Sequence, residues 1–233
     1  MAAPPSITIV GPGRLGRSVA GSLRRAGWAV TTVGRGEEAP KGASLIWLTV
    51  PDHAVAARAR TLPPGALVLH SAGSLGPEVL APHRGAVLHP LMTFPHPEGA
   101  FVPCTASGHP EALVAAHEVA AALGWRVLGE VHDRARYHAA ACMASGHIAA
   151  CFADASVIFA SATGVSEAEA RRTLEPLAAA TLARVVVAGS AAITGPAARG
   201  DEATIAAHRA VLPADSLALY DAGTRTIKKL QGG

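Results

Sequence analysis

Lysine, aromatic residues and blocks of like charge are all scarce in this chain of 233 residues. Phe, Trp and Tyr make up 4% of it, so the apolar interior has to be assembled from small units, chiefly alanine and the branched aliphatics. Charged residues make up 16%, the formal net charge is +3, and the basic residues do not gather in a run. A nucleic-acid groove, which needs a basic stripe, is therefore not indicated. Half of the residues are hydrophobic, far from the composition of a disordered chain and enough for a sizeable core. One large domain or two smaller ones fit the length. Cys104, Cys142 and Cys151 form no CxxC pair and cannot all be bridged, which suits a reducing cytoplasm. No secretory leader is read in MAAPPSITIV. The least charged stretch, Ala139–Ala162, is broken by His147 and Asp154 and reads as a buried helix, with no membrane span expected. No HExxH or similar ligand spacing occurs, so no metal site is expected.

What is present falls into two regions. From residue 1 to about 130, short β-like runs alternate with helix-like segments. The runs are Ile7–Val10, Ala29–Val33, Leu45–Val50, Ala66–His70, Ala86–His89 and Arg126–Leu128; between them lie Leu15–Ala26, Asp52–Arg60 and Glu111–Leu123. Runs that are apolar on both faces suit parallel strands covered by helices, and the alternation predicts a doubly wound α/β fold of Rossmann type. Over residues 131–233 the β-like runs nearly vanish. Arg134–Ala162, Ser166–Ala183, Asp201–Leu212 and Ser216–Leu230 read as helices of a smaller all-helical domain, with Gly189–Asp201 as its long polar loop.

The first run, ITIV, enters Gly11-Pro12-Gly13-Arg14-Leu15-Gly16, a GxGxxG directly between a strand and a helix. Gly11 permits the tight turn, Gly13 lets the backbone approach a diphosphate, and Gly16 lets helix and strand pack closely. The free amides of Arg14, Leu15 and Gly16 and the positive end of the helix then face an anion. Methyltransferases use a related turn for a cofactor without phosphates, so the turn alone does not decide. At the end of the next β-run, where NAD sites place an acid, the chain reads Val33-Gly34-Arg35-Gly36. A guanidinium there would bind the 2′-phosphate of NADP through charge-assisted bonds, whereas a carboxylate would repel it. Arg35 thus favours NADP over NAD. As a solvated loop residue it would carry no such meaning, and Glu37 and Glu38 stand close behind it.

Other candidates stand at strand ends, where open α/β sheets bind ligands. Thr49, Val50 and Pro51 end the third run; Asp52 after them is expected to cap a helix. Val68–Gly76 and Val87–Pro95 each deliver a histidine, His70 and His89, to the same edge, with Ser71 beside the first. In the helical region Tyr137 and His138 begin the long helix, and His138, Cys142 and Ser145 recur at i, i+4 and i+7. Asp201 can cap the next helix but one, leaving Arg199 as a cation in the polar loop that could grip a carboxylate.

GPGRLG, LTVPD, HSAGS, HPLMTFP, RYHAAACMAS and ITGPAARGD, in that order over nearly the whole length, carry a resemblance. The chain resembles small bacterial Rossmann-like oxidoreductases with a C-terminal helical domain of unknown function, related to pyrroline-5-carboxylate reductase, ketopantoate reductase and 3-hydroxyisobutyrate dehydrogenase. The resemblance implies an NAD(P)-binding domain, a homodimer formed through the helical domain, a cleft between domains and a ketopantoate-like substrate. One departure stands out: Ser145-Gly146 replaces the family's Ser-Asn. The only lysines are Lys41, Lys228 and Lys229, so the lysine that related hydroxyacid dehydrogenases keep at the start of the interdomain helix has no counterpart.

Together these features lead to the expectation of an NADP-dependent reductase of a small carbonyl or imine acid. His89 and His138 would be the proton donors and Tyr137 the reserve, with Arg199 and Ser145 toward the substrate. The alternative is a non-catalytic NADP(H)-binding sensor or partner-binding protein.

Overall fold

The structure, a computed structural model, describes residues 4–96 and 99–232. It divides into two compact units, residues 1–141 and 142–233. The division falls later than the sequence-based boundary at 130/131, because the helix that opens the second region begins by packing on the sheet of the first.

The first unit is a seven-stranded sheet. Its strands are β1 (Ser6–Val10), β2 (Ala29–Val33), β3 (Leu45–Leu48), β4 (Leu67–His70), β5 (Arg84–Pro90), β6 (Pro103–Gly108) and β7 (Arg126–Val127). Helices α1 (Arg14–Arg25), α2 (Asp52–Ala59) and α3 (Pro110–Ala122) cross over between strands, and α4 (Arg134–Cys142) follows β7. The order is 2-1-3-4-5-6-7, so the direction of winding reverses between β1 and β3. That reversal opens a crevice at the strands' carboxyl ends.

Alternating side chains feed two cores. On one face Ile9, Trp47, Leu69 and Leu88 pack with Val19 and Leu23 of α1 and the small residues of α3. On the other, Val10, Ile46, Leu48 and Val68 pack with Val55 and Ala59 of α2. Burying one Leu such as Leu23 contributes about 1.5–3 kcal/mol. The doubly wound expectation holds, with one correction to the parallel reading: β6 runs antiparallel to β5. Its sequence, PCTASG, has a proline at the first position and otherwise small residues, so it lacks the aliphatic run that marked the other strands.

The second unit is helical: α5 (Ile148–Thr163), α6 (Glu167–Ala188), α7 (Pro196–Arg199), α8 (Glu202–Val211) and α9 (Ala214–Gln231). Two details differ from expectation. A π-helical turn, Met143–His147, interrupts the stretch read as one helix and breaks its regular i, i+4, i+7 spacing. The segment read as a polar loop contains a 3-10 turn at Gly189–Ala192 and the short α7. Asp201 caps α8 as expected, its carboxylate accepting from the backbone amide of Thr204 at 3.0 Å and from its hydroxyl at 2.7 Å.

The expectation of burial over Ala139–Ala162 is not met within the single chain. Of α5 only Ser156 and Ala160 are buried, and on α6 only Ala170. Val186 and Val187 are 85% and 88% exposed. By length and composition, stretches 134–163 and 167–199 would suffice to cross a membrane, yet within the chain they have almost nothing to bury against.

Candidate active site

The glycine turn is held by contacts that leave one side open. Gly11, at φ +102°, donates its amide to the Val33 carbonyl at 2.9 Å, and a Cβ there would meet the Thr49 carbonyl. Thr49 bonds the Gly11 carbonyl through its hydroxyl at 2.7 Å. A Cβ on Gly16 would fall 2.2 Å from the Gly11 carbonyl oxygen, so only glycine lets α1 approach β1 so closely. At Gly13, by contrast, a Cβ would meet nothing within 4 Å. Here the backbone faces empty space, and the first amides of α1, including those of Arg14 and Leu15, have no partner within the helix.

That space is a cleft of about 430 Å³ lined by Val10–Gly13, Gly34–Gly36, Thr49–Pro51, Ala54 and Arg58. It brings together the turn, Arg35, Thr49, Val50 and Pro51. Ser71 is not among its lining residues. The Ser71 hydroxyl accepts from the Trp47 indole at 2.9 Å and donates to the Leu88 carbonyl at 2.8 Å, tying β3, β4 and β5 together. Arg58 was missed, because an arginine on an amphipathic helix carries no sequence signal of its own. Among the described residues neither Arg35 nor Arg58 makes an ion pair; Arg58 donates only to the Glu37 carbonyl and, at 3.2 Å, to the Thr61 hydroxyl. The Glu37 carboxylate instead turns back to accept from the Gly34 amide at 2.6 Å. Two guanidinium groups thus border the cleft, neither of them in an ion pair among the described residues. A dinucleotide carrying a 2′-phosphate fits this donor set: amides for the diphosphate, guanidiniums for the phosphate.

Further along the same sheet edge lies a polar cluster. His89 Nδ1 and the Tyr137 hydroxyl are 2.6 Å apart, and Thr105 donates to that hydroxyl at 3.2 Å. The Tyr137 hydroxyl thus bridges the His89 ring and the Thr105 hydroxyl. The His89 and His138 rings lie 6.3 Å apart, edge to face. Gly73, on the turn after β4, fits against both: a Cβ there would sit 2.6 Å from His138 Cδ2 and 2.8 Å from His89 Nε2. Burial pulls the His89 pKa down to about 4, the neighbouring His138 and Arg134 acting in the same direction. His89 is therefore neutral near pH 7 and stores no second proton, unlike the role expected from its type. Burial raises the Tyr137 pKa, so its phenol stays protonated.

Arg134, one turn before Tyr137 on α4, donates through Nη2 to the Ser107 hydroxyl, while its Nη1 is buried with no partner among the described residues. Thr105 and Ser107 share one face of β6, and Arg134 and Tyr137 share one face of α4. The strand the sequence concealed is thus what positions the cluster. Gly73, Thr105 and Ser107 left no trace in the reading, since their roles depend on contacts across the sheet.

His70 belongs to the framework. Its Nε2 lies 3.1 Å from the Gly76 carbonyl and its Nδ1 accepts from the Ala72 amide at 3.1 Å, which shapes the loop carrying Gly73. Asp52 is the first residue of α2 and not its cap; it accepts from the Ser74 hydroxyl at 3.1 Å. Arg199 is exposed at the end of α7, and Ser145 lies in the π-helical turn, both in the second unit. Among the described residues no group of three or more His, Cys, Asp or Glu could hold a metal ion.

The whole chain is similar in fold to solved structures. A Bacteroides fragilis protein described as an NADP oxidoreductase superposes with a TM-score of 0.80 at 22% identity, over 97% of this chain and 98% of the other. A reductive aminase from Aspergillus terreus, in complex with NADPH and ethyl levulinate, gives 0.67 at 20% identity over 99% and 96%. The pyrroline carboxylate reductase of Plasmodium falciparum, with NADP bound, gives 0.63 at 9% identity over 97% and 98%. No curated protein matches the chain in sequence. Residues 102–227, more than half of the chain, match the model of the domain of unknown function DUF2520, and the protein belongs to that family.

Proposed function

We propose that this protein is an NADP-dependent oxidoreductase that reduces a small carbonyl or imine acid, ketopantoate-like 2-keto acids being the first class to test. The observation that carries the reading is the cleft at the switch point, where the open backbone of Gly13 faces two arginines without counter-ions. The solved structures of similar fold whose descriptions name NADPH or NADP support it.

Bound in the cleft, NADPH supplies the hydride. The first amides of α1 would hold the diphosphate against the open side of Gly13, and Arg35 and Arg58 would take the 2′-phosphate. Tyr137 holds a proton at its hydroxyl, 2.6 Å from His89 Nδ1. In the tautomer protonated on Nε2, neutral His89 can pass that proton to the substrate while taking one from Tyr137 at Nδ1, and the phenolate so formed regains its proton from solvent. His138 completes the group, and Arg199 and Ser145 are carried as substrate residues of the helical unit.

The protein acts as a homodimer through its helical unit, whose apolar α5 and α6 surface a second copy would cover.

The test is nucleotide titration followed by a turnover panel. NADPH should bind more tightly than NADH and be consumed with at least one small 2-keto acid or cyclic imine acid. Arg35→Asp should weaken NADPH by about tenfold or more and NADH much less. Equal weakening of both would remove the NADP assignment, and tight NADPH binding without any turnover would favour a sensor.

A further inference from the structure

The structure assigns Arg134 as the docking cation for the carboxylate of a small monoanionic acid, at the α4–β6 edge beside His89 and Tyr137; this rests on the reductase reading above. Five observations converge on it. One guanidinium nitrogen, Nη2, donates to Ser107, but Nη1 is buried and meets no acceptor among the described residues. A buried charged donor without an acceptor is a costly arrangement that a native fold seldom keeps unless a ligand supplies the acceptor. The residue as a whole is only half-buried, which leaves its guanidinium reachable at the α4–β6 edge.

The neighbours are chosen for a monoanion. His89 is neutral and Tyr137 protonated near pH 7, and the other groups acting electrostatically on His89 and Arg134 are His138, His70 and the carboxylates of Asp52 and Glu78. One guanidinium with two carboxylates in its surroundings favours a singly charged ligand over a doubly charged phosphate. Among the described residues no carboxylate lies within ion-pair distance of Arg134, so the position is not already taken.

The spacing also suits an acid whose reacting group is adjacent to its carboxylate. Arg134 and Tyr137 are one turn apart on α4 and contact Ser107 and Thr105, two residues apart on β6. A carboxylate on Arg134 would therefore set a neighbouring carbonyl or imine toward the Tyr137–His89 pair. Specificity for the acid over its amide would come from this one residue.

The experiment is a binding titration of 2-oxobutanoate and 2-oxobutanamide by ligand-observed NMR, with and without NADP. Wild-type protein should prefer the acid by about tenfold or more. Arg134→Met should abolish that preference and Arg134→Lys retain much of it, with the NADPH affinity of all three unchanged. Equal binding of acid and amide by wild type, or an undiminished preference in Arg134→Met, would overturn the assignment; tighter binding of inorganic phosphate than of the acid would overturn the monoanion class. Should Arg134→Met not fold, the wild-type comparison and Arg134→Lys still decide. Loss of NADPH binding in wild type would refute the parent reading alone, since the acid titration without nucleotide stands by itself.

Discussion

At the scale of single residues, the site depends on which charges the fold leaves unbalanced and which it suppresses. Among the described residues neither Arg35 nor Arg58 at the cleft is ion-paired, and the Glu37 carboxylate, close in sequence, accepts from the Gly34 amide. His89 shows the opposite treatment, its charged form being excluded by burial. The two consequences differ in sign with pH. A histidine whose pKa is about 4 when folded and near the usual 6.5 when unfolded takes up its proton first in the unfolded chain. Its contribution to stability is complete above pH 6.5 and is lost as pH falls toward 4. His70, lowered chiefly by burial, adds in the same direction. The melting temperature of the wild type should therefore drop between pH 6.5 and 4, and His89→Gln should flatten that slope. An unchanged slope in the variant would mean that His89 is as easily protonated in the fold as in the open chain.

At the scale of elements, two glycines of one turn have separate duties. Gly16 serves packing: any Cβ would press on the Gly11 carbonyl, and backbone cannot yield as a flexible side chain can. Gly13 serves the ligand, with φ −73° and open space beyond it. Gly16→Ala should thus destabilise the protein by about 1–3 kcal/mol or more, as overpacking does. Gly13→Ala should leave stability unchanged or raise it by up to about 1 kcal/mol, yet weaken NADPH binding. Thermal melts paired with nucleotide titrations separate the two; a Gly13→Ala protein with full NADPH affinity would deny that a diphosphate lies against that backbone. The element least visible in the sequence, β6, matters as much as the turn. Its small polar residues were invisible to a search for aliphatic runs, yet Thr105 and Ser107 are what α4 leans on.

At the scale of the whole molecule, the two units differ in how they satisfy themselves. The sheet unit buries large side chains on both faces, whereas among the described residues the helical unit buries only Ser156, Ala160, Ala170, Ala192, Ile205 and Ser216. A monomer with this surface should be prone to association. Light scattering should give the mass of a dimer, and Val187→Asp should shift it toward the monomer and make the melting temperature depend less on concentration. A wild type that is monomeric at micromolar concentration would overturn the dimer, and recovery only with detergent would point to a lipid surface instead.

Local patterns carried the glycine turn, the alternation of strand and helix, Arg35, and the helical character of residues 131–233. They did so because turn geometry, hydrophobic periodicity and helix capping are properties of neighbours along the chain. The residues' partners were settled elsewhere. Whether His89 is charged, whether Ser71 faces a ligand or a tryptophan, and whether Arg134 finds an acceptor depend on side chains brought together from distant strands. Desolvation and hydrogen bonding act through space, and only the folded chain sets those distances.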